Sequence, residues 1–267
     1  FKGLDFVAII SLLGWGLGYF GQPHILVRFM AADSVRSIPK ARRISMTWMV
    51  LCLAGAIATG FFGITYFFHN PALAGGVMQN NEAVFMELTK ILFNPWIAGI
   101  ILSAIMAAVM STLSCQLLVC SSALTEDFYR AFLRPKASQT ELVWTGRLMV
   151  MLISLVAIVI AFNPDNKVLS LVAYAWAGFG AAFGPVILLS LIWKRMTRNG
   201  AFAGIFVGAA TIILWKTCLD HLGLYEIIPG FIFGTCAIII TSLLDKPPSA
   251  SMQSQFEKAD KAYHSET

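Results

Sequence analysis

The chain has 267 residues, of which 58% are hydrophobic and 12% are charged, and its formal net charge is +5. A soluble domain carries about 25% charged residues, so the composition excludes a water-soluble globular protein and predicts an all-α protein that crosses the membrane several times. The basic residues lie mainly between the apolar segments, where they indicate topology and not a nucleic-acid partner.

The start of the sequence carries no targeting signal. The first residue is Phe1, and neither a basic segment nor a cleavage site follows it, so no signal peptide is predicted. We expect the chain to be the C-terminal part of a longer protein.

Runs of about 20 apolar residues mark membrane-spanning helices. A stretch at residues 81–93 is too short and too charged to span, and its apolar residues recur at helical spacing, which predicts a short amphipathic surface helix. The polar tail, residues 245–267, contains a Pro-Pro pair, and we expect it to be largely disordered. Seven spans are predicted, at about residues 6–29, 45–68, 96–124, 142–162, 168–193, 201–219 and 227–244.

Basic residues in the connections predict the orientation of the spans. The first, third and fifth connections and the tail are rich in lysine and arginine, whereas the alternate connections hold few. Seven spans then place the first residue outside the cell and the C-terminus in the cytoplasm. The basic residues of the first, third and fifth connections are Arg28, Arg36, Lys40, Arg42, Arg43, Arg130, Arg134, Lys136, Arg147, Lys194, Arg195 and Arg198.

The first span is interrupted between Gly14 and Pro23, where the sequence reads GWGLGYFGQP. Glycine and proline weaken the helical hydrogen-bond ladder, and transporters use such broken helices to hold substrates and ions. The aromatic rings of Trp15 and Tyr19 beside the break suit a small, partly apolar amine. Glycines that serve only close helix packing are the alternative interpretation. No strand precedes the G-x-G-x-x-G pattern, so a dinucleotide site is not predicted.

The third span contains neutral oxygen ligands in place of charged groups. Ser111 and Thr112 are adjacent, and Ala108 lies one turn earlier. Two hydroxyls and a carbonyl can supply part of the shell of a hard monovalent cation. The alternative is that the hydroxyls bond the carbonyl one turn earlier or a neighbouring helix. No Asp, Glu or Lys lies at the centre of a predicted span, which argues against a proton relay.

The later spans contain pairs of glycines four residues apart. Such pairs let two helix backbones approach closely, so they predict helix contacts. The pairs are Gly180–Gly184, Gly204–Gly208 and Gly230–Gly234.

The segment GWGLGYFGQPHILVRFMAADS, followed by ARRISMTWM, resembles the sodium/solute symporter family of bacterial inner membranes, and within it the members that carry proline. The likeness runs from Lys2 into the tail. It implies a LeuT-type fold, in which the first five spans form the second inverted repeat and the last two are peripheral helices. It also implies that the N-terminal half, with the first repeat, is a missing partner.

The same resemblance assigns roles to individual positions. Arg147 matches a basic position of functional weight in the family, although a cytoplasmic anchor explains it equally well. The other assigned positions are Ala108, Ser111 and Thr112 for sodium; Trp15, Gly16, Tyr19 and Pro23 for the substrate; and Leu169 for an external gate.

The resemblance therefore implies sodium-coupled uptake of L-proline across the bilayer by alternating access. Sodium would be the coupling ion, no other cofactor is expected, and no enzymatic reaction is implied. Two alternatives remain: a sodium symporter for another small solute, such as pantothenate or a sugar, and a truncated remnant that does not transport. A channel or sensor is disfavoured because no charged or carbonyl-rich filter ring is found.

Overall fold

A computed structural model of the protein describes residues 5–162 and 168–266, and within these ranges it contains helices and turns but no strand. The first span consists of α1 (Phe6–Gly14), a 3₁₀ segment (Trp15–Gly21) and α2 (Pro23–Met30). The other helices are α3 (Ser37–His69), α4 (Gly75–Gln79), α5 (Val84–Leu92), α6 (Pro95–Ser122), α7 (Gln139–Ala161), α8 (Val168–Ile192), α9 (Arg198–Cys218), α10 (Ile227–Leu244) and α11 (Ala250–Glu266).

Among the described residues, six helices are long and apolar enough to cross a membrane: α3, α6 with its π-helical continuation to Leu133, α7, α8, α9 and α10. The bent pair Phe6–Gly21 and Pro23–Met30 makes a seventh if it is one span. The protein is therefore a multi-pass membrane protein, and the predicted all-helical class is confirmed. The second and third spans are longer than their apolar runs because both helices continue into charged sequence.

The chain divides into two compact units. The first unit comprises the residues up to Val35 and those from Leu155 onwards, and the second unit is Arg36–Ser154. Helix α7 crosses this division.

Close backbone contacts hold the first unit together. A Cβ atom on Gly208 would lie 2.3 Å from the carbonyl oxygen of Ala181, and one on Gly204 would lie 2.3 Å from Ile238. The predicted helix contacts are confirmed, since Gly180, Gly184, Gly230 and Gly234 also face neighbouring helices or the 3₁₀ segment. The helices α8, α9 and α10 meet around a core of Ala177, Ala181, Ile212 and Ile227.

In the second unit, the predicted amphipathic helix is present as α5. A short 3₁₀ turn, Asn81–Ala83, precedes it. Leu88 is buried with Phe67 and Ala74, and Val84 packs at the edge of this core. The part of the α5 apolar face formed by Val84, Leu88 and Ile91 is therefore covered by α3 and the connection after it, whereas Phe85 and Leu92 are exposed.

The tail differs from the sequence expectation. Its residues were expected to be disordered, but Ala250–Glu266 forms α11. Phe256 lines an apolar groove together with Trp193, and Lys194 forms an ion pair with Glu257. The side-chain amide of Gln253 donates to the carbonyl oxygen of Pro248 over 2.9 Å. The polar composition of the tail did not indicate this helix. Its contacts are with the α8–α9 connection, through Lys194 and the groove that Trp193 lines.

We predict that Gly208→Ala lowers the thermal midpoint of the purified protein, because the added methyl group would overlap the Ala181 carbonyl. Overpacking of this kind costs about 1–3 kcal/mol. The matched control is Gly178→Ala, whose Cβ meets no heavy atom within 4 Å. Alanine favours helix over glycine by about 1 kcal/mol, so this control should unfold at an equal or higher temperature. Equal destabilisation of both variants would contradict the packing.

We also predict that α11 loosens in acid. The hydrogen bond and the positive charge of Lys194 lower the pKa of Glu257. A carboxylate with a lowered folded-state pKa stabilises the fold above its unfolded value, here 4.5, and that contribution is lost as the pH falls through the folded-state pKa. Hydrogen exchange, corrected for intrinsic rates, should show that α11 opens more often as the pH falls below 4.5 and through the folded-state pKa of Glu257.

Glu257→Gln should remove the pH response of α11. Glu126→Gln, which breaks the ion pair with Arg130 in the second unit, should leave that response intact. A response of α11 that survives in Glu257→Gln would assign it to another group.

Candidate functional site

The first span breaks because of the residues at its centre. The residue before proline avoids the α conformation, and Gln22 is extended, with φ −83° and ψ 114°. Pro23 then begins α2 at a position where its missing N–H costs nothing. The two parts of the span are bent by 52°. The predicted break is thus present, with a 3₁₀ segment in place of α-helix.

The glycines of the break also serve close packing. A Cβ on Gly18 would lie 1.9 Å from Nε1 of Trp176, and one on Gly21 would lie 2.1 Å from the carbonyl oxygen of Phe179. In contrast, a Cβ on Gly16 would meet no heavy atom within 4 Å. The two interpretations of the glycines therefore hold together: the segment is broken, and one of its sides packs directly on α8.

Four aromatic side chains, Trp15, Tyr19, Trp176 and Tyr225, form what we call the aromatic cluster. The ring of Trp15 stacks on Trp176, with 5.5 Å between centroids, and on Tyr225, with 6.2 Å. Tyr19 meets Trp176 edge to face at 4.8 Å. Each such pair contributes about 0.5–1.5 kcal/mol beyond its buried area.

Side chains also satisfy backbone groups at the break. Nε1–H of Trp176 donates to the carbonyl oxygen of Trp15 over 2.9 Å. The side-chain amide of Gln22, which is buried, donates to the carbonyl oxygen of Trp176 over 3.2 Å. Backbone groups in a bilayer have no water to bond, so these contacts stabilise the 3₁₀ segment.

Tyr225 reaches the cluster from the connection between α9 and α10. Its hydroxyl donates to the carbonyl oxygen of Ala173 on α8 over 2.7 Å, and its backbone N–H donates to Oγ of Ser11 on α1 over 3.0 Å. Burial, followed by the nearby charge of Glu226, raises the pKa of Tyr225. The hydroxyl therefore stays protonated and remains a donor.

The substrate positions predicted in the break differ in their exposure. Within the first unit Tyr19 is 45% exposed and Gly16 is exposed, whereas Trp15 and Pro23 are half-buried. The ring of Trp15 is engaged by two stacking partners. The accessible side of the break is thus the one that carries Gly16 and Tyr19.

The predicted sodium positions lie on α6 in the second unit. Asn94 caps this helix by accepting from the N–H of Ile97 over 3.0 Å. Ala108, Ser111 and Thr112 are all exposed within the unit. The hydroxyl of Thr112 donates to the carbonyl oxygen of Ala108 over 3.2 Å.

That bond is the alternative that the sequence left open, and Ser114 makes the same bond to Met110. It is also compatible with cation binding. Two oxygens 3.2 Å apart can both lie about 2.4 Å from one hard cation, the distance typical of calcium.

Two further predicted positions lie near helix ends. Leu169 is the second residue of α8 and is 63% exposed. The guanidinium of Arg147 lies 5.0 Å from the centroid of the Trp144 ring on α7. Across the described ranges no group of three or more His, Cys, Asp or Glu side chains is placed to hold a metal ion.

The structure thus gathers Trp15, Gly16, Tyr19 and Pro23 at one break, and Ala108, Ser111 and Thr112 on one helix. Sequence reasoning did not assign Gln22, Trp176 or Tyr225. The position of Trp176 beside the glycines of the fifth span was the signal that could have indicated it. No local pattern marks Tyr225.

Broken helices of this kind are a feature of secondary transporters. The sequence model of the sodium:solute symporter family matches residues 2–208. The chain belongs to this family.

Sodium:solute symporters similar to this chain include the sodium/proline symporters of Salmonella typhimurium and Escherichia coli. Each is 72% identical over 264 residues, which is 99% of the chain and 52% of the relative. A high-affinity proline transporter of Bacillus subtilis is 52% identical over 256 residues, covering 96% of the chain and 53% of the relative. The chain spans about half the length of these curated relatives.

We predict that Gly18→Ala disrupts the aromatic cluster, because its methyl group would displace the Trp176 indole from the Trp15 carbonyl. Near-ultraviolet circular dichroism should lose intensity and the thermal midpoint should fall. Gly16→Ala is the matched control in the same segment, since its Cβ has open space. Indistinguishable spectra for the two variants would show that Trp176 does not pack on Gly18.

Proposed function

We propose that the chain is the C-terminal part of a sodium-coupled symporter that carries L-proline into the cell by alternating access. The observation that carries this proposal is the 72% identity, over 99% of the chain, to relatives named sodium/proline symporters. The broken helix with its aromatic cluster and the oxygen pair on α6 support it.

In this proposal sodium binds to the carbonyl of Ala108 and the hydroxyls of Ser111 and Thr112. Neutral oxygens suit a sodium ion, which needs several ligands but no proton acceptor. One helix cannot complete the shell, so the remaining ligands come from the N-terminal half implied by the family. When sodium binds, the hydrogen bond from Thr112 to the carbonyl oxygen of Ala108 is replaced by coordination of both oxygens to the ion.

Proline would bind at the accessible side of the break. Its ammonium group suits the ring face of Tyr19, and the absence of a side chain at Gly16 lets the ligand approach the backbone. Trp15 then acts as the wall behind the site, since its ring is held by Trp176 and Tyr225. Pro23 sets where α2 resumes.

Coupling requires that sodium favour the proline-binding state over the other state. We propose a LeuT-type arrangement in which the first five spans form the second repeat and Leu169 acts at the external gate. We also propose that the protein lies in the bacterial inner membrane with a cytoplasmic C-terminus. The basic α8–α9 connection, which carries Lys194, Arg195 and Arg198, supports this orientation.

The test uses a chimera in which this chain replaces the matching C-terminal part of the Escherichia coli relative, expressed in cells without proline carriers. Thr112→Val removes the hydroxyl and should raise the sodium concentration for half-maximal proline uptake about tenfold, equivalent to about 1.4 kcal/mol. Thr112→Ser keeps the hydroxyl and should restore most of the sodium affinity.

Ser114→Ala is the control, because it removes a hydroxyl from the same helix two residues away. It should leave the sodium dependence unchanged. Proline uptake that is independent of sodium and of Thr112 would refute the sodium assignment. Sodium-dependent uptake of labelled pantothenate without uptake of labelled proline would favour another solute. No uptake of either compound by an inserted chimera would favour a remnant.

A further inference from the structure

We infer that Tyr225 is a positioning residue for the broken helix: its ring and hydroxyl hold Trp15 and α8 in the arrangement that binds substrate. This inference rests on the proposed function and extends it to the α9–α10 connection. The family resemblance assigns α9 and α10 to the peripheral helices.

The contacts of Tyr225 join three elements at one point. Its ring stacks on Trp15 in the 3₁₀ segment at 6.2 Å, with an interplanar angle of 19°. Its hydroxyl bonds the carbonyl oxygen of Ala173, three residues before Trp176 on α8. Trp176 in turn stacks on Trp15 and bonds its carbonyl oxygen. Tyr225 and Trp176 therefore both hold Trp15. Trp176 belongs to α8, and Tyr225 is bonded to α8 one turn earlier, at Ala173.

The connection that carries Tyr225 is itself fixed. Gly223 has φ +66°, a left-handed conformation that favours glycine, and it turns the chain back towards the break. Nε1–H of Trp215 on α9 donates to the carbonyl oxygen of Leu224 over 3.1 Å. After the connection, Ile227 is fully buried, and a Cβ on Gly14 would lie 2.8 Å from Ile228. Tyr225 is thus presented to Trp15 by a rigid support.

This arrangement makes the shape of the break dependent on Tyr225. Trp15 is only half-buried and lies in a segment without the regular α-helical ladder, so its ring needs lateral partners to stay in place. Among the described residues, loss of the Tyr225 ring leaves Trp176 as the ring that stacks on Trp15. The break then populates other conformations, and apparent substrate affinity falls by the fraction that remains competent.

The first test measures proline uptake by the chimera at saturating sodium. Tyr225→Leu should raise the KM for proline about three- to tenfold, with a smaller change in maximal rate. Tyr225→Phe keeps the stacking ring but loses the hydrogen bond to Ala173, so its KM should lie between those of wild type and Tyr225→Leu. Tyr66→Leu removes a half-buried tyrosine from the core of the second unit and should reduce protein yield without raising KM.

A double-mutant cycle tests whether Tyr225 acts through Trp15. If it does, Tyr225→Leu should add little to the KM of a Trp15→Leu chimera, because the stack is already lost. Full multiplication of the two effects, or a KM for Tyr225→Leu equal to wild type, would overturn the inference.

A second readout does not depend on transport. The native cysteines are replaced by serine, and Gly16→Cys, which has open space for a side chain, reports the break through its rate of labelling by a thiol reagent. Tyr225→Leu should change this rate at least threefold, and Tyr225→Phe, which keeps the ring but not the hydrogen bond to Ala173, should change it less. Equal rates in all three backgrounds would overturn the inference. If Tyr225→Leu changes the labelling rate but the chimera that retains Gly16 shows no sodium-dependent proline uptake, the proposed function alone is refuted.

Discussion

The hydrogen bond from Trp176 to the carbonyl oxygen of Trp15 is the interaction on which the first unit depends. A helix that breaks inside a bilayer leaves backbone groups with no water to bond, and each must find a partner in the protein. Here α8 supplies that partner from a side chain and places the same indole against Trp15 as a stacking surface. The break can therefore exist without an unsatisfied carbonyl at Trp15.

This solution requires two backbones to lie almost in contact. An indole can reach the Trp15 carbonyl only because Gly18 has no side chain, and α8 can approach the 3₁₀ segment only because Gly180 faces Gly18. The glycines that interrupt the first helix thus also form the surface on which Trp176 packs to satisfy the Trp15 carbonyl. The sequence allowed two interpretations of these glycines, a broken helix or close helix packing. In the structure the same glycines do both.

Local sequence predicted the features that depend on local physics. Apolar runs predicted the long apolar helices, Pro23 and the glycines before it predicted the break, and glycine pairs predicted the contacts among α8, α9 and α10. The pairing of Trp15 with Trp176 and Tyr225 could not be predicted, because 161 or more positions separate Trp15 from its partners along the chain. Helix α11 was not predicted either, and its ion pair with Lys194 is a contact that composition does not indicate.

The glycine contacts between α9 and α8 also determine where the first unit is elastic. Where Gly208 meets the Ala181 backbone, no flexible side chain lies between the helices to absorb a displacement. Close-packed interiors have low compressibility and transmit strain, so α8, α9 and α10 behave as one stiff body. The 3₁₀ segment lies on α8 through contacts of the same kind at Gly18 and Gly21, so it belongs to this stiff body. Helix α2 begins beyond the extended Gln22 and has no buried residue, so bending of the first span is expected between the 3₁₀ segment and α2.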